Sequence, residues 1–395
     1  MSMKIAVVGA SGAGLPFSVF LKRKYPSWSV FVLDQNAKAG KKLLATGNGH
    51  CNLLNKSATP SDYNEPEFVS KFFEEYPFRK LVASLESVGV ATMEQGDLVY
   101  PKSFSSSGYV ASMLAYAEKI GVKFLLDCKV FEYKNSAKGI CIETNQGEML
   151  FDKAVFCCGG KSGRNLGSDG SLFPVFKRHG YSVSPLAPGL APIKTRENVA
   201  SLSGLRHRAS VSLLQPNSSE MKIVHRESGE ILFKKDGLSG IVVFNLERLL
   251  ARQADPKQFL ISVDLFPFED VEKLAVQMAN LNSANSSFGS SFLEPPLFRY
   301  CMKAAGLNSL KSQADFLKLA FVFKNLVFHV NGFYSFEDSQ VTVGGIAVSE
   351  VTGSLESKQE KGVYFLGEVL DVDGPCGGFN LEWCLISALA LVDRL

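Results

Sequence analysis

Lys4-Ile5-Ala6-Val7-Val8-Gly9-Ala10-Ser11-Gly12-Ala13-Gly14 opens the stretch that decides the fold, and Val30-Phe31-Val32-Leu33-Asp34 closes it. The first apolar, β-branched run reads as a buried strand, the glycines as a tight turn, Leu15 to Arg23 as a helix and the second run as a partner strand. A nucleotide needs each part. The turn brings backbone close to a pyrophosphate, helix N-terminal N–H groups hold its charge, and a carboxylate about 20 residues on takes ribose hydroxyls. Asp34 stands at that place. Gly9, Ser11, Gly12, Ala13 and Gly14 are the candidate pyrophosphate loop, with Ser11 where the usual pattern has its middle glycine. Serine is small and donates a hydrogen bond, so the loop reads as a variant. Pro16 is tolerated in a first helical turn, where its missing N–H has no intrahelical acceptor.

Two blander readings compete. Ile5 to Leu21 is uncharged and follows Lys4, as in a secretory signal, but glycines and Pro16 interrupt it and the strand ending in Asp34 stays unexplained. The other is an α/β glycine turn that binds nothing.

The 395 residues allow two or three domains and a large core. A net charge of +3 gives no argument for nucleic acid or a membrane surface as partner. No later run is long and apolar enough to span a bilayer. The eight cysteines are scattered, none in a C-x-x-C, which reads as reduced thiols and a cytoplasmic protein. The histidines show no metal-ligand spacing, so no metal is expected.

Gly40 to Asn55 is rich in glycine, asparagine and lysine and lacks periodicity, so it reads as loop or broken helix. Its N–H groups, amides and ammonium groups suit an anionic ligand; a solvent loop is the alternative. Pro66 to Gly89 reads as one amphipathic helix and Ser107 to Ile120 as another. Val122 to Val155 reads as a small antiparallel unit, followed by a strand running into Cys157-Cys158-Gly159-Gly160. Adjacent cysteines strain a mutual disulfide, so these read as small buried thiols.

The proline-rich Pro185 to Pro192 marks a boundary. Beyond it come strands at Ala209 to Leu214, Met221 to His225, Ile231 to Phe233 and Phe259 to Asp264, and then helices at Phe268 to Leu281, Pro296 to Ala305 and Gln313 to Phe323. Asn282 to Ser291, rich in serine and asparagine, reads as a mobile loop, with strands returning at Val327 to Val330 and Gly332 to Phe336. The expected fold class is α/β, a discontinuous dinucleotide-binding domain from residues 1–190 and 346–395. It is interrupted by a β-rich domain at 191–255 and 325–345 that carries a helical insert at 256–324. Near the end, the strand Val363 to Leu366 leads to Gly367-Glu368, and Gly377-Gly378-Phe379-Asn380 opens the helix Leu381 to Leu395.

The Gly40 to Asn55 run, with the glycine turn, resembles the bacterial YhiN/BaiN-type flavoproteins, also called aminoacetone oxidase family FAD-binding enzymes. Tyr100-Pro101-Lys102-Ser103, Cys157 to Gly160, Gly229 to Phe233 with Gly237 to Gly240, Val341 to Gly345 and Gly367 to Asn380 extend the likeness over nearly the whole chain. The family commonly has arginine at His50, glycine at Ser11 and Ala-Thr at Cys157-Cys158. The resemblance implies a Rossmann-like fold and non-covalent FAD. It adds Gln35, Lys41, Lys42, Thr46, Gly47, Asn48, Gly49, Cys51 and Asn52 to the cofactor residues, a backbone contact from Val130 to the adenine, and closure by Cys158, Gly159 and Gly160. It further implies Gly367 and Glu368 at the ribityl chain, and Gly378, Phe379, Asn380 and Leu381 at the flavin. A helix N-terminus aimed at the flavin N1/C2 edge stabilises the anionic reduced ring.

The resemblance thus implies an FAD-dependent oxidoreductase exchanging a hydride between flavin N5 and a small organic substrate lodged between the FAD domain and the insert. No second glycine fingerprint for a nicotinamide is present, which leaves oxygen or a transiently bound NAD(P)H as electron partner. His50, Asp371, Asp373 and Cys376 are the candidates for acid–base work, each with a plain structural alternative. Lys41 and Lys42 suit pyrophosphate better than a Schiff base. The alternative function is a flavin or nucleotide carrier or sensor without turnover. A flavin-dependent RNA-modifying enzyme is a third reading, against which the near-neutral charge argues.

Overall fold

The computed structural model describes residues 2–217 and 221–395. Two compact units emerge, one from the chain up to Gly189 together with Phe336–Leu395, the other from Leu190–Ser335.

The first unit is built on a five-stranded parallel sheet in the order Val363–Phe365, Lys153–Phe156, Lys4–Val8, Ser29–Leu33, Lys123–Leu125. The amino-terminal strand lies at the centre, and Ile5, Ala6 and Val7 are wholly buried, as expected of a strand covered on both faces. The helices Gly14–Lys24 and Phe379–Arg394 pack against one another. Burial of Gly14 to Leu21 and of almost all of Phe379 to Val392 explains why neither helix carries a polar face over those residues. Between the strands Lys123–Leu125 and Lys153–Phe156 the chain makes an antiparallel meander, Val130–Ser136, Gly139–Thr144 and Gly147–Phe151. The expected antiparallel unit is thus confined to that meander, its flanking segments having joined the parallel sheet.

Pro66 to Gly89 forms two helices, Pro66–Glu75 and Phe78–Ser87, where the periodicity suggested one. Pro77 is the cause: it disfavours helical backbone at Tyr76 and has no N–H to continue the ladder. Each helix still buries its apolar face, through Val69 and Phe72 in one and Leu81 and Leu85 in the other.

The second unit is a closed antiparallel barrel in the order Ile193–Thr195, Gly237–Ser239, Met221–Lys234, Arg206–Pro216, Leu260–Asp264, Leu326–Phe333, which pairs again with Ile193–Thr195. The chain is therefore an α/β Rossmann-like unit with an inserted β-rich unit. Met221–Lys234 is one strand where two were expected, because Gly229 stays in register opposite Ala209 instead of turning. Leu326–Phe333 is likewise a single strand. The helices Val271–Ala284, Pro295–Ala304 and Gln313–Lys324 share the barrel's core, with Leu274, Leu319 and Phe323 buried in the same cluster as Ile193 and Phe328. Leu260–Asp264, which the domain reading grouped with these helices, is a barrel strand.

Asn282 to Ser291 is not a loop throughout. The helix runs on to Ala284, Gly289–Phe292 forms a further turn, and Phe288 between them is buried against Phe298 at 5.8 Å between ring centroids. Val341–Val343 pairs with Ala187–Gly189 inside the first unit, so the chain re-enters that unit at Phe336, ahead of the boundary at 346 drawn from the sequence.

Candidate active site

The glycine turn packs backbone on backbone. A Cβ at Gly9 would lie 2.4 Å from the Cys157 carbonyl oxygen, and one at Gly14 would lie 1.9 Å from the Gly9 carbonyl oxygen. These two glycines are thus required by the close fit of turn, helix and neighbouring strand. The first helix has no capping side chain and no acidic residue in its first turn. The N–H groups of Ser11, Gly12 and Ala13, just before it, meet no protein acceptor among the described residues. A row of unpaired donors at a helix start suits an anion.

Asp34, buried at the end of its strand, accepts hydrogen bonds from the Ala10 N–H at 2.8 Å and from the Asn36 N–H and side-chain amide at 2.8 and 2.9 Å. It ties down the turn while keeping lone-pair capacity for a further donor. The Cys128 N–H donates to the Asp34 carbonyl at 2.9 Å, which sets Val130 two residues beyond that strand end. Gln35 donates from its side chain to the Gly167 carbonyl at 2.7 Å.

The 40–55 segment is a broken helix, Lys41–Leu44 followed by a turn at Thr46–Gly49. Gly47, Asn48, Gly49 and Cys51 all have positive φ. Thr46 donates to the Leu43 carbonyl at 2.6 Å, and burial pushes the Cys51 thiol up to about 11. Lys41 is exposed. Lys42 pairs with Glu368 at 2.7 Å, both side chains about four-fifths buried. His50 is exposed, stacks on Phe104 and hydrogen-bonds its carbonyl oxygen through Nδ1 at 3.0 Å.

The carboxyl-terminal residues come to the same place. A Cβ at Gly367 would lie 2.9 Å from the Ala13 Cβ, and one at Gly12 would lie 3.4 Å from the Leu381 side chain. Gly378, at φ 99°, caps the last helix without a capping side chain, and a Cβ there would meet the Leu54 carbonyl at 2.7 Å. Asn380 staples the preceding turn, accepting from the Gly374 N–H at 2.9 Å and donating to its carbonyl at 3.0 Å. Phe379 is buried, its carbonyl accepting from the Tyr63 hydroxyl at 2.8 Å. Asp371 and Asp373 are buried and stitched to Asn64, whose side-chain oxygen accepts from the Asp373 N–H at 2.8 Å. That arrangement fits loop-holding. The Cys376 thiol is pushed up to about 11 by burial and donates to the Gln340 side chain at 3.6 Å.

Burial pushes the Cys158 thiol up to about 12, which makes it a poor thiolate at neutral pH. A Cβ at Gly159 would lie 3.4 Å from Glu368 Oε2. Thr342 was not singled out by the sequence reading, yet it holds this turn. Its hydroxyl oxygen accepts from the Lys161 and Ser162 N–H groups at 2.7 and 3.0 Å, and its own N–H donates to Glu368 Oε1 at 2.8 Å. In the sequence, Val341 to Gly345 entered only as a block of family likeness, with no separate role for Thr342.

The residues fit FAD on two observations: the row of unpaired N–H donors before the first helix, and the Asn52 side-chain oxygen, buried beside Gly378 without a hydrogen-bond partner. Among the described residues no group of three or more His, Cys, Asp or Glu is placed to hold a metal ion, and no helix is long and apolar enough to cross a membrane.

The family described as the HI0933-like protein Rossmann domain matches residues 3–392. Fold and family define the class as Rossmann-fold, FAD-linked oxidoreductases. Within it, the chain belongs to the HI0933-like family. It is 27% identical over 413 residues to a 3-dehydro-bile acid delta(4,6)-reductase of Clostridium scindens, covering 96% of each chain. It is 27% identical over 410 residues to a ribosomal RNA dihydrouridine synthase of Haemophilus influenzae, covering 97% of this chain and 96% of that one. Among solved structures, a 3-ketosteroid delta1-dehydrogenase of Sterolibacterium denitrificans has the same fold at 10% identity, with a TM-score of 0.54 over 100% of this chain and 99% of that one.

Proposed function

We propose that this chain is an FAD-dependent reductase, akin to the YhiN/BaiN-type flavoproteins, that saturates a carbon–carbon double bond conjugated to a carbonyl in a small organic molecule. Its electron source in this reading is a transiently bound NAD(P)H. Non-covalent FAD supplies the hydride carrier when bound. In balance, NAD(P)H is oxidised to NAD(P)+, a hydride reaches the substrate's β-carbon and a proton its α-carbon. The names of the bile-acid reductase and of the dihydrouridine synthase both describe saturating such a bond, which supports the substrate class.

The observation that carries the reading is the meeting of two uncapped helix N-termini from opposite ends of the chain. In this assignment the N–H groups of Ser11, Gly12 and Ala13 and the Ser11 hydroxyl bind the diphosphate. Asp34 takes a ribose hydroxyl, and the Val130 backbone faces the adenine. The Lys42–Glu368 pair, with Gly367 and the Gly159-Gly160 turn, orients the ribityl chain. The loop at Thr46 to Asn52 and the N–H groups from Gly378 to Leu381 hold the ring, with the positive end of the last helix favouring negative charge there. Cys376, raised by burial, keeps its proton at neutral pH and is the candidate proton donor beside the last helix.

Anaerobic stopped-flow tests the reading. The FAD-loaded protein is mixed with NADH or NADPH and then, in separate shots, with a cyclic enone, a uridine-containing RNA or oxygen. Bleaching of the flavin band by the nicotinamide and recovery on the enone are expected. Recovery only with oxygen supports an oxidase instead, recovery only with RNA overturns the small-molecule substrate, and no recovery with any of these supports a carrier.

A further inference from the structure

The segment leading to Asn52 is strained. Asn48 and Cys51 adopt left-handed conformations, at φ 53° and 58°, although neither is glycine. Such conformations are costly for residues with a side chain and persist where the surrounding structure holds them. The strained run ends on a group that the protein leaves unused. The Asn52 side-chain oxygen is shielded from solvent and accepts no hydrogen bond, an arrangement that costs stability unless a partner completes it.

Its surroundings narrow what would satisfy it. A Cβ at Gly378 would lie 3.0 Å from this oxygen. The N–H groups of Gly377 and Gly378 meet no protein acceptor among the described residues, and the last helix has no capping side chain. One acceptor without a donor therefore stands beside donors without acceptors. The ligand edge that completes both has an N–H next to a carbonyl, the pattern of a cyclic imide. In FAD that edge is N3–H beside C2=O, and the positive end of the helix favours the charge that the reduced ring places there.

We infer that Asn52 is the residue that reads the imide edge of the flavin, its side-chain oxygen accepting the ring N3–H while N–H groups at the start of the last helix serve the adjoining C2 carbonyl. The inference rests on the FAD reading above. It explains why the fold leaves this polar atom without a protein partner and why the chain bears backbone strain immediately before it.

The test compares FAD with 3-methyl-FAD, which lacks the N3–H, by fluorescence titration of wild-type apoprotein and of Asn52→Ala. Wild type should bind FAD about tenfold tighter than the analogue, the worth of one hydrogen bond in a buried site. Asn52→Ala should bind both within about twofold of each other, through weaker binding of FAD. The thermal midpoint of its apoprotein should be unchanged or higher, since an unpaired buried group has gone. As a measurement needing no variant, the imino proton of FAD labelled with 15N at N3 should exchange slowly in the wild-type complex. An equal preference for FAD in both proteins, or a fast-exchanging imino proton in wild type, overturns the assignment of Asn52 while leaving the flavin reading intact. Failure of wild type to bind FAD at all overturns both.

Discussion

Replacing Glu382 by Gln should remove a pH dependence that burial builds into the last helix. Glu382 lies in the first turn, is 2% exposed and accepts the Asn55 N–H through Oε2 at 2.7 Å. Burial raises its pKa from 4.5 to about 7; the Asn55 hydrogen bond favours the ionised form but is outweighed, and the Asp62 charge adds to the rise. Between these two values the folded state keeps a proton that the unfolded chain has released. Stability is therefore fully present below the unfolded value and is lost as pH rises through the folded one. A shift of that size corresponds to about 3 kcal/mol. Gln keeps an acceptor for Asn55 and has no ionised form. Urea unfolding at pH 5 and pH 8 should show wild type losing about 2.5 kcal/mol more than Glu382→Gln over that interval, part of the full loss having occurred already below pH 5 and other titrating groups cancelling in the comparison. Equal losses in the two proteins would refute a neutral buried carboxyl at this position.

Three further substitutions test how the site is held. Gly14→Ala forces a Cβ against the Gly9 carbonyl, 1.9 Å away in the present backbone, and should lower stability by about 1–3 kcal/mol in thermal melts, with loss of FAD retention. Thr342→Val strands the Lys161 and Ser162 N–H groups and should cost about 2–4 kcal/mol by urea titration, most of it recovered in Thr342→Ser. Lys42→Met leaves Glu368 without its cation and should raise the FAD dissociation constant about tenfold, read by fluorescence quenching.

The parallel sheet and both helices of the candidate site were legible because their sequences are locally consistent. Apolar β-branched runs, a glycine turn and a proline in the first helical turn point to one structure, and the carboxyl-terminal glycines precede a run too apolar to lie at the surface. What escaped depends on partners distant in sequence. Met221–Lys234 reads as two separate runs, but pairing of Met221 to Leu232 with Arg206–Pro216 keeps it one strand. Polar composition around Asn285 hid Phe288, whose burial is decided by Phe298 in a later helix. Pro77 was visible, and the apolar spacing on either side outweighed it. Thr342 and the unpaired oxygen of Asn52 have no sequence signature, since each matters through what lies opposite it in the fold. Asp34 was placed correctly at the strand end, yet its first task in the structure is to hold Ala10.

The central claim is that both ends of the chain build a single flavin site. The most direct measurement is the visible spectrum of protein incubated with FAD and desalted, for wild type, Gly14→Ala and Gly378→Ala. Wild type should emerge yellow with one FAD per chain, and a Cβ at either end, against the Gly9 or the Leu54 carbonyl, should discharge the cofactor. A colourless wild-type protein, or full retention of FAD in both variants, would contradict it.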